Sequence, residues 1–224
     1  MPSTAEGVEI LPFDEVRDSY EDVTRLLHAA YRGLAEMGLN YVAATQDAQT
    51  TRERAEAATV CLVARQAGRL AGTICYYAES PSADDPAWYR RRDVSFFGQF
   101  GVEPSLQGTG IGSRLIAAAE VRAVADAKTE FACDTAEPAR HLIAYYSRHG
   151  FRPVGRHRWP HAVYESLILS KRIGVAIRRA TNADTSEVLR IAHAMPWMRD
   201  DYLQHQLAAG VRAVDGCGQR GGYA

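Results

Sequence analysis

Val94-Ser-Phe-Phe-Gly-Gln-Phe-Gly-Val102, the connector Glu103-Pro-Ser-Leu-Gln107 and the run Gly108-Thr-Gly-Ile-Gly112 decide the fold. The first reads as a strand. The last opens a helix over Ser113 to Ala127, with Leu115, Ile116, Ala119 and Val124 at helical spacing. A strand, a glycine-rich turn and a helix in that order converge backbone N–H groups at the positive end of the helix. Such a turn binds a phosphate or pyrophosphate without side-chain charge, because glycine has no Cβ to hold the ligand away. Two common phosphate loops fit poorly. The G-x-x-x-x-G-K-[ST] loop needs a lysine after its last glycine, where Ser113 stands. A dinucleotide fingerprint needs G-x-G-x-x-G/A directly after the strand, yet Glu103 to Gln107 intervene and the third small residue is Ser113.

Working outward, the pattern alternates strands and helices. Upstream lie a strand over Val8–Phe13, an amphipathic helix within Asp14–Gly38, and a polar helix over Gln46–Ala58. The strands Thr59–Arg65 and Arg69–Tyr77 follow, joined at Gln66-Ala67-Gly68. Glu79–Asp93 reads as a long loop, of the kind that lines substrate pockets. Downstream come a strand over Glu130–Asp134, a helix over Pro138–His149 stopped by Gly150, and strands over Phe151–Gly155 and Val163–Ser170. The order predicts an α/β (mixed α+β) fold, with a mixed central sheet and helices on both faces, in a domain of residues 1–172. Residues 173–224 form a remainder. Val175–Ala194 reads as a strand and a helix. Glu187-Val-Leu-Arg-Ile-Ala-His-Ala echoes Asp22-Val-Thr-Arg-Leu-Leu-His-Ala, like the opening of a second domain, before a glycine-rich tail.

Composition narrows the function. The formal net charge is −1, so no basic excess is available for a nucleic-acid backbone. No run reaches the length of a membrane span and Met1–Gly7 lacks the pattern of a signal peptide, so a cytoplasmic protein is expected. Cys61, Cys75, Cys133 and Cys217 form no C-x-x-C pair and read as reduced thiols. With seven histidines and no H-E-x-x-H, no metal site is predicted.

Gln107-Gly-Thr-Gly110-Ile-Gly112 fits [Q/R]-x-x-G-x-[G/A], and Tyr146-Ser-Arg-His-Gly150-Phe151 fits Y-x-x-x-G-F after a helix. Together, in this element order, they resemble the GNAT superfamily of acetyl-CoA-dependent N-acetyltransferases over roughly residues 8–172. Phe97-Gly-Gln-Phe-Gly-Val-Glu-Pro and Tyr164-Glu-Ser-Leu-Ile-Leu-Ser-Lys look like members of that superfamily too. The resemblance implies that acetyl-CoA is the co-substrate. Phe100, Gly101 and Val102 would pair with its pantetheine arm, and Gln107, Gly108, Thr109, Gly110, Ile111, Gly112 and Ser113 would hold its pyrophosphate. It also implies direct attack of an amine through a tetrahedral intermediate, with Tyr146 as general acid toward the departing thiolate.

The strand glutamate used as a base in several relatives has no counterpart here, since Val94–Val102 carries only Ser95 and Gln99 as polar side chains. Deprotonation through a water chain, an acceptor that is partly neutral, Asp134 and His161 are the alternatives. For the acceptor, family analogy points to the first helices, the loop before the fourth strand and the last loop, hence to Tyr31, Trp88, Trp159 and His161, with Tyr41, Tyr89 and Tyr164 nearby. These suit a small organic amine. Arg90, Arg91 and Arg92 read either as a solvated basic run on that loop or as an attractor for a carboxylate on the acceptor, and no acidic cluster for a polycation stands out. A protein N-terminal or lysine acetyltransferase, a non-catalytic acyl-CoA-binding module and a nucleotide binder of another fold are the competing readings. A homodimer is compatible with the sequence.

Overall fold

The computed structural model describes residues 7–174. The strand, helix and tail expected in 173–224 lie outside the described residues, save Ile173 and Gly174. Within them run β1 (Val8–Pro12), α1 (Tyr20–Glu36), α2 (Ala48–Ala57), β2 (Val60–Gln66), β3 (Arg69–Tyr77), β4 (Val94–Val102), α3 (Ile111–Ala125), β5 (Glu130–Ala136), α4 (Arg140–Arg148), β6 (Arg152–His157) and β7 (Ser166–Arg172), with short 3₁₀ turns at Val42–Ala44 and Pro104–Leu106. The predicted order holds.

Several ends move for local reasons. Residue α1 begins at is Tyr20 because the Ser19 hydroxyl caps the Asp22 amide at 3.1 Å, while Asp14 to Asp18 close a separate turn. Asp47 caps α2 in the same way, accepting from the Thr50 amide at 2.7 Å. At the other end of the domain, Pro138 stays outside α4, whose cap is Ala139. The last strand starts three residues later than its apolar run, since the Val163 amide is turned onto the Asn40 side chain.

The strands form one sheet in the order β1-β2-β3-β4-β5-β7-β6. Only β4 and β5 pair in parallel; the other neighbours are antiparallel. β2 and β3 are joined at Ala67-Gly68, both at positive φ (51° and 75°), the two-residue turn that matches strand twist. Helices cover both faces. α3 supplies Ile111, Leu115, Ile116, Ala119 and Ala123 to the larger core, built around Phe97, Phe131 and Phe151. On the opposite face Val23 and Leu27 of α1 meet Val63, and Ala55 of α2 packs on the group around Cys75, Tyr77 and Phe96.

One irregularity positions the site. β4 and β5 pair only from Val94 to Phe96 against Glu130 to Ala132. Beyond that β4 follows β3 while β5 follows β7. The register of β3 and β4 slips by one residue between Thr73 and Cys75, opposite Gln99, which sits at φ 48°. This is a β-bulge, which bends a strand and ends its pairing on one side. The buried Gln99 side chain is held by Gln46, whose Nε2 reaches Thr51 Oγ1 at 2.7 Å and Gln99 Oε1 at 3.3 Å.

Candidate active site

Glycine geometry at the α3 N-terminus follows the predicted loop, with one shift. The helix starts at Ile111, not Ser113, so Ile111, Gly112 and Ser113 form its first turn. Gly108 (φ 79°) and Gly110 (φ 96°) hold left-handed backbone, and a Cβ at either would meet open space. The amides of Gly108, Gly110, Ile111, Gly112 and Ser113 find no acceptor among the described residues, while Arg114 N closes the first turn on Gly110 O at 3.1 Å. Five N–H groups are thus open at a helix start, as an anion requires. Gly112 is constrained differently: a Cβ there would lie 2.8 Å from the Tyr145 hydroxyl and 3.2 Å from Phe100. Thr109 Oγ1 donates to Leu106 O at 2.7 Å, bracing the loop. The Ser113 hydroxyl is joined to His149 Nε2 at 2.8 Å, which ties α4 to the start of α3.

Where β4 leaves β5, its edge is open. The Glu103 amide bonds to Ala71 O of β3 at 2.9 Å. By strand alternation Gly101 also turns its N–H and C=O to β3, whereas Phe100 and Val102 turn theirs into the gap. The Val102 carbonyl there accepts from Gln107 Nε2 at 3.2 Å. Gly101 serves packing: a Cβ on it would lie 3.2 Å from Leu27 and Ala30 of α1. Of the three residues predicted for the pantetheine arm, two face the gap and the third lets α1 approach.

Beside the gap lies a cleft of about 430 Å³. Tyr146, Tyr31, Trp159 and His161 all line it, as do Tyr41, Tyr89 and Tyr164. One wall is a stack of three rings, Tyr77 on Phe96 (centroids 4.8 Å apart) and Phe96 on Tyr89 (4.2 Å). The other joins Tyr31 to Tyr41 (5.3 Å) and Tyr41 to Tyr164 (5.0 Å). The exposed Asn40 ties the segment after α1 to the β6–β7 connection that carries His161: its Nδ2 donates to His161 O at 2.7 Å and its Oδ1 accepts from Val163 N at 2.9 Å.

Trp88 is placed elsewhere. It packs behind the stack under the Arg91 guanidinium, 4.2 Å from its ring, and Tyr89 takes the cleft position. The arginine run is likewise outside the cleft, and Arg91 is held by Asp93 at 2.6 Å.

Asp134, near the end of β5, is a polar centre of the cleft. Tyr89 Oη donates to its Oδ1 at 3.2 Å and Trp159 Nε1 to its Oδ2 at 3.1 Å. Burial, reinforced by this carboxylate, pushes the Tyr89 hydroxyl well above the ordinary tyrosine range. Burial does the same to Tyr146, which is only 6 % exposed. Its hydroxyl has no hydrogen-bond partner among the described residues. Glu53, Asp85 and Arg54 also line the cleft, brought there by α2 and the loop before β4. No sequence motif marks them, because they meet only through tertiary folding. Among the described residues no cluster of histidine, cysteine and carboxylate is arranged for a metal, and no helix is long and apolar enough to cross a membrane.

The fold has many solved counterparts. PH1933 from Pyrococcus horikoshii OT3 superposes with a TM-score of 0.58 at 18% identity, over 75% of this chain and 99% of that one. A GNAT family acetyltransferase from Elizabethkingia anophelis, solved with acetyl-CoA bound, gives 0.54 at 13% identity over the same shares. An acetyltransferase from Streptococcus agalactiae 2603 gives 0.56 at 18%, again over 75% and 99%. No curated protein matches the chain in sequence. The model of the acetyltransferase (GNAT) family matches residues 20–151, a span running from the start of α1 to the Phe151 that ends the second motif, and the chain is a member of that family, an acyltransferase.

Proposed function

We propose that this protein transfers an acetyl group from acetyl-CoA to the primary amine of a small molecule. The observation that carries the proposal is the splay of β4 from β5, open between an aromatic cleft and a helix start with five free amides. The chain's own groups fit the co-substrate. The amides of Gly108 and Gly110 to Ser113 suit its pyrophosphate, with Gln107 and Thr109 bracing the turn. Phe100 and Val102 offer strand-like pairing to its pantetheine arm, and Gly101 lets α1 close over it. Acetyl-CoA supplies an activated thioester.

Within the gap an amide of β4 meets the negative charge that develops on the acetyl oxygen. Tyr146, kept neutral by burial, gives its proton to the leaving sulfur and regains one from the attacking nitrogen. The Asp134 carboxylate takes the proton that the acceptor ammonium must lose first. Overall one proton passes to solvent for each acetyl group transferred.

A small acceptor suits the geometry better than a protein one. The cleft is walled by rings and holds about 430 Å³, room for a small molecule, where a polypeptide needs an extended groove. Calorimetric titration with acetyl-CoA, CoA and NAD, followed by thiol release against an amine panel, tests the proposal. Acetyl-CoA binding with amine-dependent release is expected. Binding without release on any amine would favour a non-catalytic acyl-CoA-binding module, and no binding would overturn the assignment of the glycine loop.

A further inference from the structure

We infer that the acceptor is a zwitterionic amino acid, its carboxylate received by Arg54 and its ammonium by Asp134. The inference rests on the acetyl-transfer reading above and adds the acceptor's chemical class. Among the described residues two arginines are half-buried, Arg65 and Arg54. Arg65 is paired with Asp18. Arg54 lines the cleft, and its guanidinium makes no ion pair or hydrogen bond with any described residue. Its backbone carbonyl accepts from the Tyr77 hydroxyl at 2.9 Å, so the turn of α2 that carries it is pinned to the ring stack. A half-buried guanidinium without an anion is costly, and its planar fork of donors matches a carboxylate.

The opposite pole is Asp134. Each of its oxygens holds one neutral donor, and no cation among the described residues is paired with it. The two donors fix its orientation without a positive charge from the described residues. Both poles act on one ring: the Asp134 carboxylate raises the pKa of the Tyr31 hydroxyl, and Arg54 lowers it, beneath the larger upward effect of burial. The remaining charged groups of the cleft do not match Arg54. Asp85 Oδ2 is taken by Ser80 Oγ at 2.6 Å and the Ser82 amide at 3.3 Å. Glu53 is exposed and accepts from Gln49 at 3.0 Å. The anion that Arg54 awaits is distinct from the pyrophosphate, because α2 packs on the α1 face of the sheet while the glycine loop opens α3 on the other. The tyrosine rings that line the rest of the cleft suit an apolar or aromatic side chain carried by the same α-carbon.

The test compares each proteinogenic amino acid with the amine left by its decarboxylation, in the thiol-release assay with acetyl-CoA. At least one apolar or aromatic amino acid should exceed its own amine in kcat/KM by on the order of 10- to 100-fold, the value of a charge-assisted pair. Arg54→Gln should bring that ratio close to one, mainly through KM, and Arg54→Lys should fall between. Three results would overturn the inference while leaving the transferase reading in place: amines that match or exceed their amino acids, a ratio that Arg54→Gln does not move, or amine-dependent release with no amino acid active. Failure of acetyl-CoA to bind would defeat the transferase reading and the inference with it.

Discussion

Tyr146 is enclosed by Phe97, Phe100, Phe151 and Tyr145, with ring centroids 5.4–6.5 Å away. That enclosure holds its hydroxyl protonated beyond the ordinary tyrosine value of 10.0, so its ionisation cannot set an alkaline limb in the range where the enzyme is assayed. Tyr146→Phe should lower kcat roughly 100-fold or more with little change in KM for acetyl-CoA. The pH–rate profile of the wild type should show no loss near pH 10 that the variant lacks. Gly112 makes a different prediction. An alanine there must displace either the Tyr145 hydroxyl or the Phe100 ring, so Gly112→Ala should destabilise the fold by about 1–3 kcal/mol, read from the urea midpoint. At this scale the glycines and Tyr146 were legible in the sequence, because backbone freedom and helix starts leave local marks. Trp88 and Tyr89 were not separable: adjacent residues in a loop face opposite ways, and only the stack on Phe96 chooses Tyr89.

Among the elements, the β2–β3 hairpin places an alanine at φ 51°, where a side chain is strained and asparagine is tolerated better. Ala67→Asn should raise stability by about 1 kcal/mol without altering activity, measured by thermal unfolding and thiol release. The Asn40 clamp joins the end of α1 to the β6–β7 connection. Asn40→Ala should speed hydrogen exchange over 159–164 and raise KM for the acceptor severalfold, while leaving acetyl-CoA affinity in place. The helices and strands themselves were readable from periodicity. Their ends were set by caps such as Ser19 and Asp47, and by Asn40 reaching a residue more than a hundred positions away, which no local window contains. The bulge at Gln99 was readable only as a pair of glycines around it.

Over the described residues as a whole, burial keeps several tyrosines protonated beyond the ordinary range. Tyr31, Tyr77, Tyr89, Tyr146 and Tyr164 all have their hydroxyls raised above 10.0, burial being the leading cause in each. In the unfolded chain these groups ionise near pH 10, so only the unfolded state gains from losing their protons there. Stability from this source is complete below about pH 10 and declines as pH rises beyond it. The urea midpoint should therefore show no tyrosine-linked loss up to about pH 9 and fall steeply above pH 10, with the fall smaller in Tyr164→Phe. The cleft that gathers these rings also gathers Glu53, Arg54, Asp85 and Asp134 from three separate stretches. No local stretch of sequence marks this set of charged side chains, because they line one cleft only once α2, the pre-β4 loop and β5 are folded together.

The hydrogen bond from Trp159 to Asp134 carries an optical consequence. The indole shares its N–H with the carboxylate assigned to the acceptor, so an ammonium arriving there changes the field across the ring and with it the colour and yield of its emission. In a Trp88→Phe, Trp197→Phe background, where Trp159 is the one remaining tryptophan, the cleft would report its own occupancy by fluorescence, with no label attached and no turnover required.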